Sequence, residues 1–206
     1  MSAPKLWRGQ TLQDRSVDRR EQILAVAFDL LGEAGSAAVT MRAVTREANL
    51  SPRYFYESFP NRDDLLVAVY DRVEDGLRDR MKDVPRQLDP PATVRAALEI
   101  CADYFEGDPR RAHVLLREPL ANDTLRQHSS SRAPVFVATL AAALGSDIGA
   151  LVPGDAPGLA VAGTALSGSL VALYLDWVDG RLEISRERLA ESATNIALAV
   201  VAAARL

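Results

Sequence analysis

The sequence is poor in cysteine, in aromatic residues and in long apolar runs. Cys101 is the single cysteine among 206 residues, which excludes an internal disulfide and a zinc site built on several cysteines. Aromatic residues make up only 6% of the chain. The richest apolar run, Ala193–Ala204, is shorter than the roughly 20 residues that a membrane-spanning helix needs, and the N-terminus lacks the apolar stretch of a signal peptide. We therefore expect a cytoplasmic protein with no membrane partner.

Sequence patterns typical of enzymes are also missing. The chain has two histidines, His113 and His128, and they are not spaced as metal ligands. It has no glycine-rich phosphate loop and no G-x-S-x-G nucleophile elbow. We therefore expect no catalytic site, no cofactor and no metal.

The distribution of charge is more informative than its sum. The formal net charge is −4, which does not suggest a nucleic-acid partner. Residues 1–20 nevertheless carry a net charge of +3, residues 1–72 are neutral, and the remainder of the chain carries the whole negative excess. A basic arm on an acidic body is compatible with local contact to DNA, although such charges are equally typical of solvated surface.

Apolar periodicity predicts an all-α fold. Five apolar residues recur on one face of a helix that begins near Val17 and ends at Gly32 and Gly35: Ile23, Leu24, Ala27, Leu30 and Leu31. Later stretches predict helices over 62–83, 93–106, 109–117, 121–144, 158–177 and 186–204, with a loop over 145–157 and no strand pairing. We expect about nine helices in three parts: a flexible basic arm over 1–17, a first domain over 18–66, and a larger helical domain over 67–206.

Residues 40–62 predict a helix-turn-helix. Thr40 is a good N-cap for a short helix that ends near Asn49, a residue that tolerates the left-handed conformation. Ser51 is the next N-cap, and Pro52 stands at the favoured first helical position. Asn61 then caps a long fourth helix. Two short helices separated by three or four residues, behind a longer supporting helix, are helix-turn-helix architecture.

The second short helix carries residue types that suit the reading of DNA. Ser51 at its N-terminus can donate to a phosphate, and the helix end attracts the same anion. Arg53 can reach guanine O6 and N7 in the major groove, while Tyr54 and Tyr56 point in different directions beside it. Phe55 and Phe59 are four residues apart and form the buried stripe. The predicted DNA-facing set is Thr40, Arg42, Ser51, Pro52, Arg53, Tyr54, Tyr56 and Arg62.

The stretch from Arg20 to Tyr70, and above all 51–66, SPRYFYESFPNRDDLL, resembles the TetR family of bacterial transcriptional regulators. Tyr56, Phe59, Arg62 and the Leu65-Leu66 pair match the family pattern. The resemblance implies that Tyr56 and Arg62 contact phosphates, and it leaves Arg53 and Tyr54 to read bases. Glu57 departs from the pattern, because many members have a neutral or aromatic residue there. It would either repel phosphates or accept from a cytosine amine.

The resemblance also implies a homodimer through the last two helices and an effector pocket in the C-terminal domain. On this basis 18–66 is predicted to be the DNA-binding domain and 67–206 the effector-binding and dimerisation domain. Small residues recur every four positions along 158–177, which favours close helix approach, although burial in a monomer core would give the same pattern. The predicted interface is Ala160, Thr164, Gly168, Ala172, Ile196 and Val200. The predicted pocket is Leu98, Phe105, His113, Leu116, Phe136, Leu140 and Tyr174. His113 would either orient a ligand or be a half-buried histidine with ordinary hydrogen bonds.

The sequence therefore predicts a sequence-specific DNA-binding regulator. A repressor released from double-stranded operator DNA by a small-molecule effector is the first hypothesis, since this is the usual mode that the resemblance implies. A transcriptional activator or an effector-independent regulator is the alternative. An all-helical enzyme or carrier with a relic helix-turn-helix is the third.

Overall fold

The computed structural model describes residues 12–85, 89–132 and 156–203, and these are helical with no strand among them. This confirms the predicted all-α class. The N-terminal part contains α1 (Leu12–Ala34), a short 3-10 helix (Ser36–Ala38), α2 (Met41–Glu47), α3 (Pro52–Ser58) and α4 (Arg62–Met81). The rest contains α5 (Pro90–Glu106), α6 (Pro109–Ala112), a π-helical turn (His113–Arg117), α7 (Glu118–Ala121), α8 (residues 123–132), α9 (Ala156–Val178) and α10 (Arg186–Ala203).

The first helix begins earlier than its apolar pattern predicts. α1 starts at Leu12, so the second part of the expected irregular arm over 1–17 is helical, while residues 1–11 lie outside the described residues. Neither glycine nor proline occurs between Gly9 and Gly32, so residues without apolar periodicity still extend the helix. Gly32 was expected to end α1 but lies inside it, and Gly35, with φ +79°, follows its last residue.

Gly32 has a packing role instead of a terminating one. A Cβ atom at this position would lie 2.5 Å from Cβ of Arg110, because α6 crosses α1 there at close range. Only glycine permits this approach without displacing backbone. The residue therefore belongs to the contact between the N-terminal part and the body of the protein.

The helix predicted over 121–144 is interrupted at its start. Asn122 has extended backbone angles, φ −128° and ψ 123°, and separates α7 from α8. Its side chain accepts a hydrogen bond from the amide of Leu125 at 3.0 Å and so caps α8. The predicted helix over 109–117 instead continues through the π-helical turn to Ala121. Pro119 has no amide to donate into a regular α-helical ladder, which accounts for the local change in pitch.

One continuous core joins the two parts of the chain. In the N-terminal part it contains Ile23, Leu31, Val44, Phe55 and Leu65, all essentially inaccessible to solvent. In the body, α10 packs along α5 and α9. The long helix α4 runs through both parts. The hydroxyl of Tyr104 on α5 donates to the carbonyl of Val73 on α4 at 2.8 Å, which fixes α5 against α4.

Most of α9 is exposed although it is strongly apolar. Its stretch Ala160–Val178 has a mean hydropathy of 1.4 and is long enough to span a membrane by length and composition, which corrects the expectation that no run reaches that length. Only 17% of this stretch is buried. Val161 keeps 70% of its surface exposed. An apolar helix face that the described residues leave uncovered is typical of a surface that another molecule or segment covers.

Candidate nucleic-acid interface

The helix-turn-helix forms through local capping contacts. The Thr40 side chain accepts from the amide of Ala43 at 3.1 Å and caps α2, as predicted. Asn49 has φ +50°, the left-handed conformation expected for it. The amide of Leu50 then donates to the carbonyl of Thr45 at 2.9 Å and closes the turn. These contacts set the direction in which α3 leaves α2.

The start of α3 follows the prediction in part. Ser51 occupies the N-cap position and Pro52 the first turn, but the Ser51 side chain makes no capping hydrogen bond. Its hydroxyl is exposed at the helix N-terminus, where an anion is favoured. At the other end, the Asn61 side chain accepts from the amide of Asp64 at 2.9 Å and caps α4 as predicted.

The two faces of α3 differ sharply in exposure. Phe55 and Phe59 are 1% and 2% exposed, and their ring centroids lie 6.4 Å apart in the core. On the opposite side, 83% of the Arg53 side chain and 56% of Tyr56 are exposed. The buried phenylalanines therefore hold α3 in place and leave Arg53 and Tyr56 accessible to an external partner.

Tyr54 is less accessible than the sequence suggests. It is half-buried, and the guanidinium carbon of Arg19 on α1 lies 4.3 Å from the centre of its ring. This is the geometry of a cation–π contact. One face of the ring is therefore covered by α1, which leaves less of Tyr54 for base reading than of its neighbours.

An open depression lies between α2 and the start of α3. Six residues line it: Arg42, Thr45, Arg46, Asn49, Leu50 and Ser51. Arg42 and Arg46 are both exposed, so the depression carries positive charge at the end of α3 that would meet DNA. Sequence reasoning selected Arg42 and missed Arg46. The spacing of four residues places both arginines on one helix face and is the signal that would have found it.

Arg62 makes several contacts within the protein. Its Nε donates to the carbonyl of Val39 at 2.7 Å, and a terminal nitrogen donates to the carbonyl of Ser36. A third nitrogen lies 3.5 Å from Asp63. These contacts tie α4 to the segment before α2, and 37% of the side chain stays exposed. A phosphate contact by Arg62 stays a prediction.

Glu57, whose role the sequence left open, makes its contacts with arginines of the same chain. Its Oε1 accepts from Nε of Arg53 at 2.8 Å, one helical turn earlier on α3. Its Oε2 lies 4.0 Å from a terminal nitrogen of Arg19. The carboxylate raises the pKa of Arg53, so that side chain stays fully charged.

Comparison with known proteins agrees with this geometry. The family model of bacterial regulatory proteins, tetR family, matches residues 23–69, the span from α1 into α4. Residues 23–69 therefore form a TetR-family DNA-binding domain. The chain is accordingly a helix-turn-helix DNA-binding protein that acts in transcription regulation.

Solved structures show that the fold extends over nearly the whole chain. A tetR-family transcriptional regulator from Streptomyces coelicolor is 23% identical with a TM-score of 0.69, over 91% of this chain and 82% of that one. A TetR family regulator from Marinobacter aquaeolei VT8 is 18% identical with a TM-score of 0.70, over 92% and 98%. FadR of Bacillus subtilis, solved in complex with stearoyl-CoA, is 17% identical with a TM-score of 0.69, over 86% and 97%. At these identities the likeness establishes the fold.

The residues predicted for an effector pocket differ in their surroundings. Leu98, Phe105 and Tyr174 are buried together, with the Tyr174 hydroxyl donating to the Leu98 carbonyl at 2.7 Å and the Phe105 and Tyr174 rings 5.5 Å apart. Leu116 is partly buried against the same core, while Phe136 and Leu140 lie outside the described residues. A pocket at this aromatic cluster of Leu98, Phe105 and Tyr174 stays a prediction.

His113 is a half-buried histidine engaged on both sides of its ring. Nδ1 lies 2.7 Å from the carbonyl of Gly32 on α1, and Nε2 lies 3.0 Å from Oδ1 of Asp179, just after α9. These two contacts agree with the second of the two predicted roles of His113, a half-buried histidine with ordinary hydrogen bonds. Its position in the π-helical turn joins three helices and points away from a ligand-orienting role.

The residues predicted for the dimer interface form one exposed stripe on α9 and a partly buried pair on α10. Ala160, Thr164, Gly168 and Ala172 are exposed, whereas Ile196 and Val200 are half-buried. A Cβ atom added at Gly168 would meet no atom of the described residues within 4 Å. The stripe is thus open to a partner, and its use as a dimer interface stays a prediction.

Proposed function

We propose that this TetR-family protein is a repressor that binds double-stranded operator DNA as a homodimer and leaves it when a small molecule binds the C-terminal domain. The observation that carries the proposal is the reading helix α3. Its phenylalanines are buried, while Arg53 and Tyr56 remain exposed next to a depression lined by Arg42 and Arg46. Such an arrangement suits a helix that enters the major groove.

The exposed face of α9 supports the homodimer. It is long, apolar and rich in small side chains, so two copies can approach closely without leaving buried charges. Two-fold symmetry would present two α3 helices to two half-sites, which gives far more specificity than one short helix.

Direct contacts between the body and α1 support release by an effector. Arg110 on α6 pairs with Asp29 on α1 at 2.9 Å, and the carboxylate of Glu118 accepts from the amide of Ser36 at 2.8 Å. Together with the His113–Gly32 contact, these bonds connect helices around the aromatic cluster to the helix that supports α3. Movement in the body would therefore reach the DNA-binding domain. Because the neighbour FadR holds stearoyl-CoA, long-chain acyl-CoAs are the first compounds to screen.

Arg53→Ala and Tyr56→Phe are expected to weaken DNA binding in different ways. Loss of a base-reading arginine should cost roughly tenfold in affinity for the cognate operator and little for unrelated DNA. Loss of the Tyr56 hydroxyl should weaken both kinds of DNA by about the same factor, since a phosphate contact carries no sequence information. Fluorescence anisotropy with a selected operator and a scrambled duplex measures both. If neither variant differs from wild type, α3 is not the reading helix.

The direction of regulation needs a separate test. A reporter gene placed behind the operator should fall in expression when the protein is present and recover when an effector is added. A rise in expression in the presence of the protein would indicate an activator. If the protein binds the operator and none of the compounds releases it, the protein is an effector-independent regulator.

A further inference from the structure

Glu57 stands between two arginines on the exposed side of the reading helix. One carboxylate oxygen accepts from Nε of Arg53 at 2.8 Å, and the other faces Arg19 at 4.0 Å. Only a quarter of the Arg19 side chain is exposed, and its guanidinium lies over the ring of Tyr54. The supporting helix α1 therefore braces Glu57, and Glu57 in turn contacts the arginine expected to read a base.

The contact uses a particular atom of Arg53. Because Glu57 accepts from Nε, the two terminal amino groups remain at the opposite edge of the planar guanidinium. Bidentate recognition of guanine O6 and N7 uses parallel donors of this kind. An exposed arginine without such a partner samples many rotamers and loses rotamer entropy when it is fixed on a base. A partner that restricts Arg53 beforehand reduces that loss.

The pair has little value for the stability of the fold. Exposed arginine–glutamate pairs at i,i+4 contribute little to stability, and 83% of the Arg53 side chain is exposed. A carboxylate on this face also repels the phosphates of any DNA that α3 approaches. Such a charge disfavours binding to DNA in general, and the loss is offset only where Arg53 binds a guanine in the braced orientation.

We propose that Glu57 is a specificity-determining positioning residue, which orients the Arg53 guanidinium towards a guanine and penalises DNA that lacks this base. The proposal rests on the proposed function, in which Arg53 reads a base of the operator. It assigns to Glu57 no contact with DNA.

Glu57→Gln is the first test. The variant keeps the shape of the side chain and removes its charge, so affinity for a scrambled duplex should rise while affinity for the selected operator changes little. The ratio of the two affinities should fall by about 3- to 10-fold, a part of the discrimination that a bidentate arginine provides. Fluorescence anisotropy at one fixed salt concentration measures both affinities. Thermal unfolding followed by circular dichroism should show an unchanged midpoint.

Glu47→Gln is the matched control. Glu47 is exposed on α2 and pairs with Arg46 at 2.8 Å, so its loss removes the same charge from the same domain without touching Arg53. Affinity for both duplexes should rise by the same factor, and their ratio should stay constant. If Glu57→Gln gives only this uniform rise, Glu57 is a surface charge and the proposal is wrong.

A double-mutant cycle separates positioning from direct reading. Glu57→Ala should relax discrimination at one operator base pair, the same pair that Arg53→Ala relaxes, and should have no further effect on the ratio in the Arg53→Ala background. If Glu57→Ala relaxes a different pair, or acts equally in both backgrounds, Glu57 reads a base itself and the proposal fails while the proposed function stands. If Arg53→Ala changes no ratio, the proposal fails together with the base-reading role of Arg53.

Discussion

Gly168→Arg is expected to keep the protein monomeric and to weaken operator binding at least about 100-fold. The subunit itself should tolerate the change, since no atom of residues 12–85, 89–132 or 156–203 would lie within 4 Å of a Cβ atom at Gly168 and arginine favours a helix more than glycine does. In a dimer that covers α9, the same guanidinium would be buried without a partner. An uncompensated buried charge costs several kcal/mol. We expect this cost to prevent the two subunits from associating through α9.

The expected loss of operator affinity follows from the two-fold symmetry of the proposed dimer. A dimer places two α3 helices on two half-sites of one operator, whereas a monomer binds each half-site on its own. Sedimentation velocity gives the oligomeric state, and anisotropy gives the affinity for the operator. Gln127→Arg is the control, because Gln127 is exposed on α8 outside the proposed interface. A variant at Gly168 that remains dimeric and binds the operator normally would place the interface on another face of the molecule.

Contacts between residues close in the chain were predictable from the sequence. Thr40, Asn49, Pro52 and Asn61 each determine the backbone within three or four residues, by a capping hydrogen bond, a left-handed φ or a fixed proline ring. Their chemistry does not depend on the rest of the fold. The helix-turn-helix and the buried face of α3 followed from these residues and from the spacing of Phe55 and Phe59.

Contacts between residues distant in the chain were not predictable in this way. Arg62 has the composition and position of a phosphate contact, yet its guanidinium binds carbonyls more than twenty residues away. Gly32 resembles a helix terminator in sequence, and its packing against Arg110 is visible only once α6 crosses α1. The partner of a long charged side chain depends on which distant residues the tertiary structure brings near it. The local sequence pattern does not contain that information.

The contacts of Glu57 were also predictable only within its own helix. The sequence shows an acidic residue one helical turn after Arg53, which predicts an i,i+4 pair on an isolated helix. It does not show that Arg19 reaches the second carboxylate oxygen from α1, or that Tyr54 lies beneath Arg19. This network across two helices is what makes Glu57 a candidate for control of specificity.

Asp179→Ala is expected to lower the free energy of unfolding by about 3 kcal/mol. Only 13% of the Asp179 side chain is exposed, and it accepts hydrogen bonds from Arg117 at 2.5 Å and Arg181 at 2.8 Å while facing His113 at 3.0 Å. Its loss leaves three cationic or polar groups without their shared acceptor. Because His113 also contacts the carbonyl of Gly32, the loss should loosen α1 as well and reduce operator affinity.

The stability difference between wild type and Asp179→Ala should depend on pH in one direction. Burial acts to raise the pKa of Asp179, but the bonds from Arg117 and His113 outweigh it, so the pKa lies below the ordinary value of 3.8. A carboxylate with a lowered pKa in the folded state stabilises the protein fully above its unfolded pKa. This stabilisation is lost as the pH falls through the folded value. The difference should therefore be constant from about pH 7 down to about pH 5 and shrink below about pH 4.

Urea unfolding at several pH values measures that difference, with Asp176→Ala as the control. Asp176 also pairs with Arg181, at 2.6 Å, but half of its side chain is exposed. Its loss should cost less than about 1 kcal/mol, because water replaces the partner of an exposed ion pair. Equal losses for the two variants would mean that the Asp179 cluster adds nothing beyond a surface pair. The connection from α9 through His113 to α1 would then be too weak to carry a signal from the body to the reading helix.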